Sequence, residues 1–265
     1  MANTVYQNFV LENKVADLLN TKLDTKSLMK IDTSLAETAG MIKKINTYSY
    51  TGAVEKVAKG AKNTAGAKGA VSFTTSQYEV EVAQHTFDYA DEEFMQDNMI
   101  VEVGINGGTT LMVNDMNTKY FAELAKATLS QTYAKGSKIS YDIVVDAIQK
   151  MNLEDESGLF LVIGTDLKAD IRKDVDFKAK ELGKIIADGA IGTISGVPVI
   201  VSKLVPAKSA YLATKDAVTC FTKKDATVEQ DRNIETRTNT IVMGKVNIVA
   251  LTDATKVVKI SEAIA

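Results

Sequence analysis

His85 and Cys220 are each the single member of their type in 265 residues, and an enzyme that did not use His85 would need a carboxylate pair as its engine. A Ser-His-Asp or Cys-His site would be built on His85, and no Gly-x-Ser-x-Gly elbow accompanies it. His85 runs in alternating phase with Phe87 and Tyr89, the setting of a half-buried strand histidine. Cys220, within residues 218–221, reads as a small core residue. Zinc held by several His and Cys ligands cannot be assembled within one such chain. The acidic clusters Asp91-Glu92-Glu93 and Glu154-Asp155-Glu156 offer oxygen ligands for Ca²⁺ or Mg²⁺. Neither has the spaced ligands of a calcium loop, so they read as helix-start and turn charges. Residues 104–110, Gly-Ile-Asn-Gly-Gly-Thr-Thr, invite a phosphate-loop reading because helix N-termini hold anions. They match neither GxGxxG nor GxxxxGK[ST] and read as a loop that starts a helix. The expectation is no catalytic residue, no cofactor and no metal. An enzyme here would be a soluble α+β protein working through His85.

The bulk composition bounds the rest. Apolar residues make up 45% and charged residues 25%, ordinary values for a chain with a real core. Thirty-one Lys plus Arg against 34 Asp plus Glu give a net charge of −3, without the basic excess of a free-standing nucleic-acid binder. A single cysteine excludes an intrachain disulfide and fits a reducing cytoplasm. No apolar run approaches the ~20 residues of a spanning helix. Residues 1–20 contain Asn8, Glu12, Asn13, Lys14 and Asp17, so no signal peptide is expected.

The elements follow from periodicity. Residues 3–25 read as a partly amphipathic helical arm. Residues 45–50 are β-prone, and in residues 52–70 Gly, Ala and Lys supply 14 of 19 positions. Residues 78–82 then alternate, with Tyr78, Val80 and Val82 on one side and Glu79 and Glu81 on the other. This predicts two long strands joined by a basic tip, a hairpin that needs something else to lie on. Met112, Met116, Tyr120 and Leu124 recur every four residues and predict a long helix over about 110–129. A second helix is expected over 140–151, and Thr165-Asp166 could cap a third. Residues 159–163 form the continuous apolar run of a buried central strand, with further strands at 197–201 and 211–214. Residues 227–240 read as a charged strand carrying Glu229, Arg232, Glu235 and Arg237. Such charges either guard an edge or meet a neighbouring subunit, and two ribbons that cannot stand alone favour the neighbour. The order of elements is an α+β pattern, with no internal repeat and no interdomain linker.

This order of parts resembles the major capsid proteins of tailed bacteriophages, with the Hong Kong 97-like fold, over nearly the whole chain. The telling series is Gly196-Val-Pro-Val-Ile200 before a strand, then Ala210-Tyr211-Leu212, the charged strand 229–237 and a terminal Val257-Val-Lys-Ile260. The resemblance implies an N-terminal arm over 1–40 and an extended β-hairpin loop over 41–90. It implies a peripheral domain over 91–139 and 226–252, with a long spine helix at about 110–129. An axial domain with a central β-sheet takes 140–225 and 253–265.

The implied function is structural: copies tile an icosahedral shell around double-stranded DNA. The implied partners are the chain itself in hexamers and pentamers, a portal, decoration proteins and packaged DNA touched non-specifically, with no membrane. Because the chain enters the arm at once, a separate scaffolding protein, or none, is expected. The protein would be made and assembled in the host cytoplasm and end in the virion. Lys56, Lys59, Lys62 and Lys68 of the loop tip would meet a neighbour's acidic surface, and Glu229, Arg232, Glu235 and Arg237 are the other candidate intersubunit contacts. An encapsulin, which shares the fold but encloses cargo enzymes, is the alternative that the long basic loop fits less well.

Overall fold

The computed structural model describes residues 24–37, 39–64, 68–173 and 192–263. Most of the expected arm (residues 1–23) and the first residues of the expected turn stretch (189–191) lie outside the described residues.

Three sheets organise the chain. Strands β2 (Ile42–Thr51) and β3 (Ala70–Glu79) pair only with each other, in antiparallel register from Ile42 opposite Glu79 to Thr51 opposite Ala70. A four-stranded sheet has the order β1 (Lys30–Asp32), β10 (Val218–Asn233), β11 (Thr238–Leu251), β4 (Glu81–Ala90). A six-stranded sheet has the order β5 (Leu129–Tyr133), β12 (Val257–Glu262), β9 (Ser209–Thr214), β6 (Leu159–Gly164), β8 (Val197–Ser202), β7 (Thr193–Ile194).

The apolar run in β6 has the reason expected of a central strand, since both its faces are covered. Leu161 and Ile163 face a core shared with helices α3 (Tyr141–Met151) and α4 (Lys168–Lys173). Phe160 and Val162 face a second core, where the end of helix α2 (Ile100–Leu124) meets Tyr211, Cys220 and Val249. The first half of α2 lies on the four-stranded sheet through Ile105, Met112, Ile241 and Met243. A short helix α1 (Asp91–Gln96) precedes it. Helix α3 ends at Asn152, whose left-handed φ of 47° is tolerated by asparagine.

The long helix departs from its expected span at both ends. It begins at Ile100 rather than near 110, and stops at Leu124 because residues 129–133 become β5 instead. The glycines read as a loop are inside the helix. A Cβ on Gly104 would lie 2.4 Å from the Phe87 ring, and one on Gly108 would lie 2.1 Å from Met243 Cε. Those two glycines let helix and β4 approach closely. Thr109 and Thr110 donate their hydroxyls to carbonyls of Ile105 and Asn106, which satisfies both hydroxyls within the helix.

Residues 81–90, expected in the hairpin loop, form β4 and pair with β11 along ten residue pairs. The alternation over 78–82 breaks at Val80, the corner where the chain leaves the ribbon. Val80 is buried and Val82 is exposed, so the two do not share a face. Asp166, expected with Thr165 to cap a third helix, bonds across the fold as well. Its carboxylate accepts from Lys208 N at 2.6 Å and ties the β8–β9 connection to the end of β6. The later, described part of the arm packs on its own chain: Met29 is 1% exposed, Thr25 Oγ1 donates to Asn117 Oδ1, and Tyr120 OH donates to Leu28 O.

Candidate intersubunit surfaces

The β2–β3 ribbon is fixed at its base and bare along its length. Tyr78 OH donates to Leu251 O at 3.4 Å, Val80 N donates to Met41 O, and Lys43 Nζ lies 4.7 Å from the centre of the Phe221 ring. Lys223 Nζ donates to Gly40 O beside them. Further out, Tyr48 stands opposite Phe73 with ring centres 6.1 Å apart, and these side chains are 66% and 65% exposed. Tyr50 and Val71 extend the same bare end. At the tip, Glu55 Oε2 accepts from Thr64 N at 2.8 Å and from its hydroxyl, which closes the loop on itself. Lys56, Lys59, Lys62 and Lys68 are all exposed there. The sequence shows the lysines plainly, but the self-closing role of Glu55 was not legible.

The charged strand is a strand only as far as Asn233; Glu235 and Arg237 sit in the turn between β10 and β11. Asn233 Oδ1 accepts from the backbone N–H groups of Glu235 and Thr236, the local bond that makes asparagine a turn former. Both arginines find partners within the chain. Arg232 Nη2 reaches Asp91 Oδ2 at 2.6 Å, Arg237 Nη1 reaches Glu92 Oε1 at 3.3 Å, and Asn239 Nδ2 donates to Asp91 Oδ1 at 2.7 Å. Bonds from Arg232 and Asn239 hold the Asp91 carboxyl below the usual carboxylate range. Glu93 Oε2 accepts from Ala90 N. The acidic cluster 91–93 is therefore a latch between α1 and the β10–β11 hairpin. Glu229 is exposed on the strand, and Glu235 is exposed in the turn.

The remaining singled-out residues take structural places. His85 is half-buried opposite Met243, its ring over Gly108. Cys220 is buried, with Asn247 Nδ2 at 3.8 Å from its sulfur. Asp155 accepts from Ser157 N and hydroxyl, an Asx turn. Among the described residues no group of His, Cys, Asp or Glu is placed to hold a metal ion, and no helix is long and apolar enough to cross a membrane.

Two features were not foreseen. Lys119 bridges Glu81 and Asp115 at 2.8 Å each, clamping the start of β4 to α2 beside a groove also lined by Val82, His85 and Leu111. Burial opposes charge on Lys119, but the bonds to Asp115 and Glu81 outweigh it and raise its pKa. The second feature is a set of exposed apolar side chains: Met95 on α1, Met99 just before α2, and Val103 and Leu111 on α2. Their spacing of four in the sequence is not one helical line, because the chain is extended at Asp97 between the helices.

Comparison with known proteins places these features in context. A family described as phage capsid protein matches residues 76–260. A major capsid protein of Staphylococcus phage phiMR11 is 33% identical over 120 residues, 44% of this chain and 44% of that relative. The match thus spans less than half of the curated relative. Solved structures are similar throughout. The mature capsid of bacteriophage PhiM1 gives a TM-score of 0.70 at 10% identity, covering 91% of this chain and 87% of the other. Mycobacterium phage Che8 gives 0.65 at 16% identity, covering 84% and 85%. A virus-like particle from Pyrococcus furiosus gives 0.65 at 9% identity, covering 96% and 99%. At such identities these likenesses show the fold.

Proposed function

The chain belongs to the phage capsid protein family, and from that premise we propose that it is the major capsid protein of a tailed phage, tiling an icosahedral shell around double-stranded DNA. The observation that carries the reading is the β2–β3 ribbon, which pairs with no other strand among the described residues and leaves Tyr48, Tyr50, Val71 and Phe73 in water. An isolated two-stranded ribbon is marginal, so its order comes from docking on another copy. Stability of the assembled state then rises with subunit concentration.

In this reading the six-stranded sheet with α3 and α4 is the axial domain, and α2 on the four-stranded sheet is the peripheral domain. Strands β10 and β11 belong to the four-stranded sheet and pack Cys220 and Val249 into the core beneath the six-stranded one, which joins the two parts into a stiff tile. Residues 1–23 continue the arm, and the subunits gather as hexamers and pentamers that contact packaged DNA non-specifically. A portal and decoration proteins complete the virion. The tip lysines Lys56, Lys59, Lys62 and Lys68, with Glu229 and Glu235, are the intersubunit contacts. Arg232 and Arg237, more than half exposed although paired with Asp91 and Glu92 of their own chain, complete the set of candidate contacts.

The test is light scattering with negative-stain microscopy on the protein expressed alone and on particles from phage-producing cells. Closed megadalton shells, with nuclease-protected DNA in the cell-derived ones, are expected. Cell-derived shells that lack DNA and enclose protein would instead favour a cargo compartment. A monodisperse monomer in both preparations would overturn the reading.

A further inference from the structure

The two ends of the six-stranded sheet differ in charge. Strands β5, β12, β6 and β8 run one way and β9 the other, so each end collects its own connections. At one end lie 125–128, 215–217 and 252–256, which lead to α2, β10 and β11, with 152–158 beside them. Those connections hold five acidic side chains against three lysines. The opposite end is tied to neither α2 nor the four-stranded sheet. Its connections 134–140 and 203–208 hold Lys135, Lys138, Lys203 and Lys208 and no acid. Two acids stand near them, and both are bonded. Glu262 accepts from Gly136 N at 2.6 Å and pairs with Lys208 Nζ at 2.6 Å, and Asp166 accepts from Lys208 N. With Ala263 N bonded to Tyr133 O and Ser137 N to Ala134 O, these bonds pin the loop that carries Lys135 and Lys138. Lys135, Lys138 and Lys203 stay exposed, in no ion pair among the described residues.

Strand order places Lys135 and Lys138 beyond β5 and Lys203 beyond β8, four strand spacings or about 19 Å apart, too wide for one copy to close around a small anion. Several copies can. Resting on the shell-subunit reading, in which six-stranded sheets gather around the axes of hexamers and pentamers, we infer that their basic ends together bind a multivalent phosphate anion of the tripolyphosphate class at each axis. The end that is untied to the rest of the chain is the one free to converge there. Convergence brings the lysines of neighbouring copies within the range over which exposed charges act, about 8 Å at physiological salt. Like charges so placed oppose ring closure. An anion on the axis turns that repulsion into a bridge, because each ammonium can donate to phosphate oxygens. The pinned loop fixes where Lys135 and Lys138 start, so less freedom is lost when the anion binds.

The experiment assembles the nuclease-treated full chain in sodium chloride and in sodium tripolyphosphate at equal ionic strength. Particle formation, read by light scattering, should need about tenfold less protein with tripolyphosphate. The variant combining Lys135→Gln, Lys138→Gln and Lys203→Gln should assemble more readily than the parent in chloride and ignore tripolyphosphate. The variant combining Lys135→Arg, Lys138→Arg and Lys203→Arg keeps the charge and should keep the response. A parent that assembles equally in both salts, a Gln variant that still responds, or one that assembles less readily in chloride would overturn the anion site and leave the shell reading standing. A parent chain that forms no particles under any condition would overturn both.

Discussion

Replacing each helix glycine with alanine separates packing from propensity within one element. Each substitution gains about 1 kcal/mol of helix propensity. For Gly107→Ala nothing opposes the gain, since no atom lies within 4 Å of the new methyl. The isolated subunit should therefore become about 1 kcal/mol more stable, a rise of roughly 2–4 °C in Tm for a chain of this size. For Gly104→Ala the methyl would fall 2.4–2.6 Å from three carbons of Phe87. That ring stacks on Tyr89 at 5.9 Å and cannot simply turn away. Overpacking costs about 1–3 kcal/mol, so the net change runs from near zero to a loss of about 2 kcal/mol. Gly108→Ala falls between, because Met243 Cε can swing aside while the His85 ring at 2.7 Å must shift. The assay is urea unfolding followed by circular dichroism, at subunit concentrations too low for assembly. Gly104→Ala proving as stable as Gly107→Ala would refute the claim that β4 dictates the glycine at 104.

Other perturbations read different parts of the structure. Tyr211 OH is buried without a hydrogen-bond partner, so Tyr211→Phe should leave stability unchanged or raise it in the same unfolding assay, whereas Tyr120→Phe, which loses a bond to Leu28 O, should cost about 1 kcal/mol. The Glu262 carboxyl is held below its ordinary 4.5 by Lys208 and then by Gly136 N. Its contribution is therefore complete above pH 4.5 and lost as pH falls below that value, and Glu262→Gln should remove that limb from a plot of unfolding midpoint against pH. Burial pushes Tyr133 up to about 12, so the folded state favours the neutral phenol. Stability should fall as pH rises from about 10 towards 12, and Tyr133→Phe should flatten that limb. The double variant Tyr48→Ser with Phe73→Ser should fold normally, both side chains being about two-thirds exposed, yet lose closed particles by scattering.

Local periodicity made much of this fold legible. The run over 159–163, the helix over 140–151 and the bare ribbon each follow from which faces a segment must bury. What escaped was decided by contacts distant in sequence. The glycines at 104 and 108 look like a loop because their reason, β4 at Phe87 and His85, is invisible locally. Arg232 is 141 residues from Asp91, so no spacing rule could reveal that their charges are used inside the subunit. The period of four from Met95 to Leu111 suggests one helical face, but Asp97 is extended and splits it between two helices.

The most direct test of the shell reading is electron cryo-microscopy of particles assembled from this chain, at a resolution that traces strands. The expected map shows closed icosahedral shells in which every β2–β3 ribbon crosses onto an adjacent copy, covering Tyr48 and Phe73. A closed shell with these ribbons folded back on their own subunits, or no closed shell at all, would contradict it.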